Sequence, residues 1–324
     1  MLFEIFAFLV ARDDAEDRAE DQGKIRNLMP QLVKVAPALF VILWSTGFIG
    51  ARYAMPWAEP FTFLWVRFAL SVALLLLLMP IMGARPLPAR TAFHSGVAGV
   101  LMHGIYLGGV FWAVHKGLPA GLAGLIVGLQ PLLTALMAGT FTGEEVGRRH
   151  WLGLVVGLVG VAIVLSPKLG QVAGGVTPAT ICVGLAAVIA MSAGTVWQKR
   201  FVGNADLISG TLCQYLGGFL FAFPISLLFE TRHFVLNGEI VFAMLWLVIV
   251  LSLGAVLLLM LLIRKGAVGR VASLFYLVPA VTAVMAWALF GETLTLIQIG
   301  GMAITTLGVA LATAHPATAR LASR

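Results

Sequence analysis

After residue 33 the chain is almost wholly a succession of ten apolar segments, each about as long as a bilayer is thick. Their limits are 34–54, 60–80, 93–115, 119–140, 150–167, 178–199, 206–229, 240–263, 268–290 and 295–314. A hydrocarbon core of about 30 Å takes about 20 helical residues to cross. Within it each backbone N–H and C=O must find a partner inside the protein. The runs also lack the alternation of a membrane barrel, so the segments are predicted as helices. Pro56, Pro60, Pro86, Pro88, Pro119, Pro167 and Pro178 lie at or near predicted ends, where a missing N–H costs little. Composition argues against a soluble alternative. Hydrophobic residues make up 60% and charged residues 11%, against about 25% charged in an average soluble domain. Mean hydropathy is +1.00.

The net charge of +7 sits mostly in short loops, with no basic stripe or recognition motif, so nucleic acid is not an expected partner. Ten spans put both termini on one side. That side carries Lys34, Arg85, Arg90, Arg148, Arg149, Lys199, Arg200, Arg264, Lys265, Arg270, Arg320 and Arg324, against Arg52, Lys116, Lys168 and Arg232 on the other. The positive-inside rule then places both termini in the cytoplasm of a cell whose plasma (inner) membrane holds the protein. Cys182 and Cys213 fall inside predicted spans and imply no disulfide framework. Residues 1–28 combine a short apolar run with an acidic stretch, Asp13 to Asp21. This is neither a span nor a signal peptide, and a disordered or mis-assigned extension ahead of Met29 is expected.

An internal repeat organises the rest. Residues 129–144 read LQPLLTALMAGTFTGE and residues 277–292 read LVPAVTAVMAWALFGE. The offset of 148 pairs Pro131 with Pro279, Thr134 with Thr282, Met137 with Met285, Gly143 with Gly291 and Glu144 with Glu292. It continues to Gly153 with Gly301 and Gly160 with Gly308. Lys116-Gly117 matches Lys265-Gly266 with one residue of slippage, and Ser45-Thr46-Gly47 matches Ser192-Ala193-Gly194 at an offset of 147. The chain is therefore expected to be an all-α membrane protein of ten transmembrane helices, built as two five-helix repeats, 29–170 and 171–324. An odd number of spans per half turns the halves upside down relative to each other. Such inverted repeats commonly enclose a central binding cavity and work by alternating access.

The Pro-containing span ending in Gly-Glu, twice, followed by a Gly-rich span, resembles the EamA-type branch of the drug/metabolite transporter superfamily. Trp44-Ser-Thr-Gly-Phe-Ile-Gly, Glu59-Pro-Phe-Thr-Phe leading to Arg67-Phe68, and Gly117-Leu-Pro-Ala-Gly are similar to it as well. The resemblance covers roughly 34–314 and implies a ten-helix fold around a cavity, with export of amino acids, aromatic ones among them, or related metabolites.

No catalytic triad, phosphate loop or metal spacing appears, so an enzyme, a cofactor and ATP drive are not expected. Beyond residue 28 the carboxylates Glu59, Glu144, Glu145, Asp206, Glu230, Glu239 and Glu292 all sit at span ends or in loops. A cation/proton exchanger needs an acid at mid-membrane, which disfavours that mechanism. Arg67 lies roughly 12 Å into its span at about 1.5 Å per residue. It either attracts a substrate carboxylate or snorkels to the outer interface. His103 and Tyr106, three apart on one helix, either line a cavity or satisfy a neighbouring helix. Trp44, Gln130, Trp197, Gln198, Gln214, Tyr215, Ser273 and Tyr276 complete a set of polar and aromatic candidates suited to an apolar cavity with a few polar groups. Their alternative roles are helix-packing hydrogen bonds and interfacial belts. The glycine faces Gly117-Gly121-Gly124-Gly128 and Gly153-Gly157-Gly160 invite close helix approach. The expected function is a secondary exporter of amino acids or related small metabolites, working as a monomer in the bilayer. Alternatives are a transporter of nucleotide sugars, nucleobases or drugs, and a membrane-embedded enzyme.

Overall fold

A computed structural model describes residues 19–118, 123, 126–141, 147–169, 176–265, 268–290 and 295–313. The chain there is helical, with a single isolated β-bridge, Ala58 to Phe234, among the described residues. Among the described residues the named helices group into ten stretches. They are α1 (Ala19–Ala54), α2 (Pro60–Ile81), α3 (Ala89–His115), α4 (Gln130–Phe141) and α5 (Arg148–Leu169), then α6 (Pro178–Val202), α7 (Leu207–Phe229), α8 (238–265), α9 (268–290) and α10 (Leu296–Thr313). Six are long and apolar enough to cross a membrane: α2, α3, α6, α7, Gly238–Met260 of α8 and Val271–Leu289 of α9. Val35–Ala51 and Leu296–Ala312 are shorter apolar helices. The helical turns of α1 over 19–28 precede Met29. The two Gly-Glu turns, Gly121, Gly124 and the 170–171 junction lie outside the described residues.

Local chemistry explains the helix starts. Pro60 and Pro178 occupy first-turn positions that need no N–H donor. Thr177 and Thr180 cap each other's backbone at α6, Asp206 accepts from Ser209 N at α7, and Asn237 accepts from Ile240 N at α8. Each cap satisfies a donor that a helix end leaves open. The apolar residues then divide between a core and an outer face that remains uncovered. Leu228, Phe229 and Leu296 are 75%, 79% and 86% exposed, a surface that suits lipid and penalises water. The chain is an integral membrane protein.

Helix contacts follow the sequence offsets. Helix α3 packs on α6 and α7; α8 packs on α1 and α2. Helix α4 packs on α6 and α9 on α1, while α2 meets α7, α4 meets α9 and α5 meets α10. Side chains obey the same exchange. Ser45 Oγ donates to the Val41 carbonyl at 2.7 Å and also lies 3.4 Å from the Val278 carbonyl, and Ser192 Oγ donates to the Gln130 carbonyl at 3.2 Å. The repeat offsets carry the first pair onto the second. Helices α3 and α8 also each contain a wide, π-helical stretch, Val100–Ile105 and Trp246–Ala255.

The glycine face of α5 meets α10 at backbone distance. A Cβ on Gly308 would stand 2.3 Å from Gly157 N, and one on Gly160 would stand 2.4 Å from Thr305 N. Gly308→Ala is therefore expected to destabilise by about 2 kcal/mol, within the usual cost of overpacking. Gly300→Ala, where nothing lies within 4 Å, should leave the thermal midpoint in detergent unchanged. Equal midpoints for the two variants would mean that α5 and α10 do not touch in this way.

Candidate functional site

Helices α2, α3, α7 and α8 meet around one chain of polar groups. Glycines set the spacing. On α3, Gly99 abuts the Gln214 carbonyl, and on α7, Gly217 abuts the Gly96 carbonyl, so the two backbones touch. This brings His103 Nε2 to 3.2 Å from Gln214 Oε1, to which it donates. Gln214 Nε2 donates in turn to Gln198 Oε1 on α6 at 2.9 Å and lies 3.1 Å from Met260 Sδ on α8. All three polar side chains are buried.

Arg67 lies beside this chain. It is 1% exposed. Its Nε and Nη2 donate to Ser252 Oγ at 3.2 and 3.1 Å, and the Tyr215 hydroxyl lies close to the guanidinium. Tyr215 itself donates to the Ser252 carbonyl at 3.1 Å. The arginine thus turns inward and does not snorkel. No carboxylate among the described residues pairs with it. A full charge held at this depth by neutral groups alone is costly. Phe68, His103 and Tyr215 close the cluster with ring centroids 4.7 to 6.1 Å apart.

Ser252 escaped the sequence reading, although the repeat points to it. The 147 offset carries Arg67 onto Gln214, and the 149 offset between α3 and α8 carries His103 onto Ser252. The two polar contacts, Arg67 with Ser252 and Gln214 with His103, are therefore equivalent under exchange of the halves. Both partners sit in the wide stretches of α3 and α8, a distortion frequent at functional positions.

The other sequence candidates fall elsewhere. Tyr106 lies against Trp44, which packs on Phe40 and Phe275. His103 and Tyr106 thus serve different neighbours. Trp197 turns to His94 and Phe201, with centroids at 5.4 and 4.5 Å. Ser273 and Tyr276 are buried on α9, and Tyr276 rests on Gly157. Gln130, Thr134, Thr282 and Tyr276 leave buried side-chain polar atoms without a partner on α4 and α9. Buried orphans cost about 1–3 kcal/mol each.

One end of α2 is tied firmly to α7 and α8. Glu230 accepts from Phe61 N, Thr62 N and Thr62 Oγ1 at 2.6 to 2.8 Å, the natural place for a carboxylate at a helix N-terminus. Glu59 accepts from His233 N and Thr231 Oγ1, and the Trp57 indole donates to Glu239. Burial alone would raise the Glu59 carboxyl; the amides of His233 and Thr231 outweigh it and hold the group below the usual carboxylate range.

Among the described residues no group of three or more His, Cys, Asp or Glu could hold a metal. The EamA-like transporter family model matches residues 35–166 and 178–314. The uncharacterized inner membrane transporter YedA of Escherichia coli K12 is 25% identical over 285 residues, covering 87% of this chain and 92% of that protein. A probable amino-acid metabolite efflux pump of Salmonella typhimurium is 24% identical over 282 residues, covering 84% and 91%. A solved crystal structure superposes with a TM-score of 0.73 at 21% identity, over 86% of this chain and 95% of that one.

Proposed function

This chain belongs to the EamA-like transporter family, and from that premise we propose that it is a secondary exporter of amino acids or related carboxylate-bearing metabolites. The observation that carries the substrate class is Arg67, a buried guanidinium whose partners among the described residues are Ser252 and Tyr215. A carboxylate arriving there would replace neutral partners with a charge-assisted, directional pair. His103 and Gln214 offer neutral hydrogen-bonding groups next to it, and Phe68 and Tyr215 offer an aromatic wall. The efflux pump among the relatives supports the same class.

The proposed architecture is ten spans in two inverted halves, 29–170 and 171–324, around a central cavity, with both termini cytoplasmic and the monomer as the working unit. The matched helix pairings, the exchanged Ser45 and Ser192 bonds and the double family match support it. Alternating access then amounts to the two halves trading roles. Trp44, Tyr106, Gln130, Trp197, Gln198, Ser273 and Tyr276 are proposed to meet solute during that exchange, those on α4 and α9 when the seam with orphaned polar atoms opens.

The test is counterflow in proteoliposomes with labelled amino acids, nucleobases, a nucleotide sugar and cationic dyes. Saturable uptake of amino acids, competed by other carboxylates, is the expected result. Movement of dyes, nucleobases or the nucleotide sugar with no amino-acid signal would overturn the substrate class and leave the transport reading standing.

A further inference from the structure

The two ends of the α2–α7 pair are built differently. At the start of α2 the loops are zipped by Glu59, Glu230 and the Ala58–Phe234 bridge. At its other end the loops part around a cleft of about 550 Å³ between the α2–α3 connection and the α6–α7 connection. The volume falls in the range of small-molecule sites, about 300–1,000 Å³. By the 147 offset Asp206 stands where Glu59 stands at the zipped end, so the repeat itself does not dictate an open cleft. The lining is cationic: Arg85, Lys199 and Arg200, with Asn204 and Thr91 as neutral donors.

The charges are poised unequally. Asp206 is occupied capping Ser209 N at 2.9 Å. Lys199 Nζ donates to the Ile263 carbonyl at 2.9 Å. Arg200 donates to the Phe141 carbonyl and lies 5.6 Å over the Phe201 ring. The Arg85 backbone carbonyl accepts from Ser209 Oγ at 2.7 Å, which fixes the loop, while its guanidinium makes no hydrogen bond among the described residues. Two further observations fix the depth and the neighbours. Helices α2 and α6 stop at Ile81 and Val202, and α3 and α7 start at Ala89 and Leu207, so the cleft lies where the apolar lengths end. Its lining includes the exposed Phe201, and the adjoining ends of α2 and α3 carry Ile81 and Phe93, 72% and 67% exposed. A phosphate anion with hydrocarbon attached matches both halves of that surface; basic pockets between helices at this depth are the sites that take phospholipid head groups.

We propose that this cleft binds the phosphate of an anionic glycerophospholipid, with Arg85 as the principal contact and the acyl chains lying along Ile81, Phe93 and Phe201. The site is separate from the Arg67 cluster and does not depend on what the protein transports. The experiment uses the purified full-length chain in a neutral detergent, titrated with dihexanoyl phosphatidylglycerol, dihexanoyl phosphatidylcholine, glycerol 3-phosphate or inorganic phosphate, and reads the thermal midpoint. Saturable stabilisation by phosphatidylglycerol alone is expected. Arg85→Gln should raise its half-saturating concentration about fivefold, the equivalent of about 1 kcal/mol for one interfacial cation. Asn204→Glu, an exposed position, should abolish the effect by repulsion. Equal stabilisation by phosphatidylcholine, or no change in either variant, overturns the proposal. Saturation by glycerol 3-phosphate or inorganic phosphate at similar concentrations overturns the lipid assignment in favour of a soluble anion.

Discussion

Replacing Arg67 with Gln is expected to raise the half-saturating concentration of a carboxylate-bearing solute in counterflow by about 10- to 100-fold, while the purified protein stays as stable or becomes more so. The two effects have one cause. A hydrogen bond to a charged group contributes about 1.5–3 kcal/mol, and about 1.4 kcal/mol is a factor of ten in affinity. The guanidinium supplies that only when an anion is present. Without an anion beside it, it is a charge taken out of water with Ser252 and Tyr215 as its partners among the described residues, and replacing such a charge by a neutral side chain removes a desolvation penalty. Arg67→Lys should fall between, since an ammonium keeps the charge but not the planar fork. Unchanged kinetics combined with a lower thermal midpoint would assign Arg67 to structure and remove the basis for a carboxylate substrate.

Much of the fold was legible because length and apolarity are averaged over about 20 residues, so single misreadings cancel. The helix limits observed for α2, α6 and α7 lie within a few residues of the predicted 60–80, 178–199 and 206–229. The site was legible only residue by residue. Arg67 and His103 stood out as ionisable groups in apolar runs. Ser252 did not, because a serine in the run WLVIVLSLGA has nothing local to mark it. Its partner lies 185 residues away, and only the repeat offset relates it to His103. Gln198 and Trp197 show a second limit. Neighbours on a helix point about 100° apart, so one reaches Gln214 while the other turns to His94. Composition cannot tell which. The wide turn over Val100–Ile105 breaks the spacing rule in the same way, sending His103 to α7 and Tyr106 to α1.

That turn is held in place by an approach no side chain could survive, and Gly99→Ala is expected to be the most damaging single-methyl change in the protein. Its Cβ would fall 1.9 Å from the Gln214 carbonyl oxygen and 2.5 Å from the Gln214 Cα. These are backbone atoms and cannot rotate aside. Helix α3 would have to move from α7 by more than 1 Å to restore ordinary contact, and the 3.2 Å bond from His103 to Gln214, one turn along the same seam, would open with it. The expected cost is about 2–3 kcal/mol of stability, the upper part of the overpacking range, together with loss of transport. Gly96→Ala on the same helix is the control, because its nearest neighbour would be the Cys213 carbonyl at an unstrained 3.9 Å. The pattern separates two kinds of residue. Arg67→Gln should weaken transport and keep stability, whereas Gly99→Ala should lose both, and Gly96→Ala neither. Should Gly99→Ala prove as stable as Gly96→Ala, the backbones of α3 and α7 are not in contact, and nothing would then hold the polar chain from His103 to Gln198 beside Arg67.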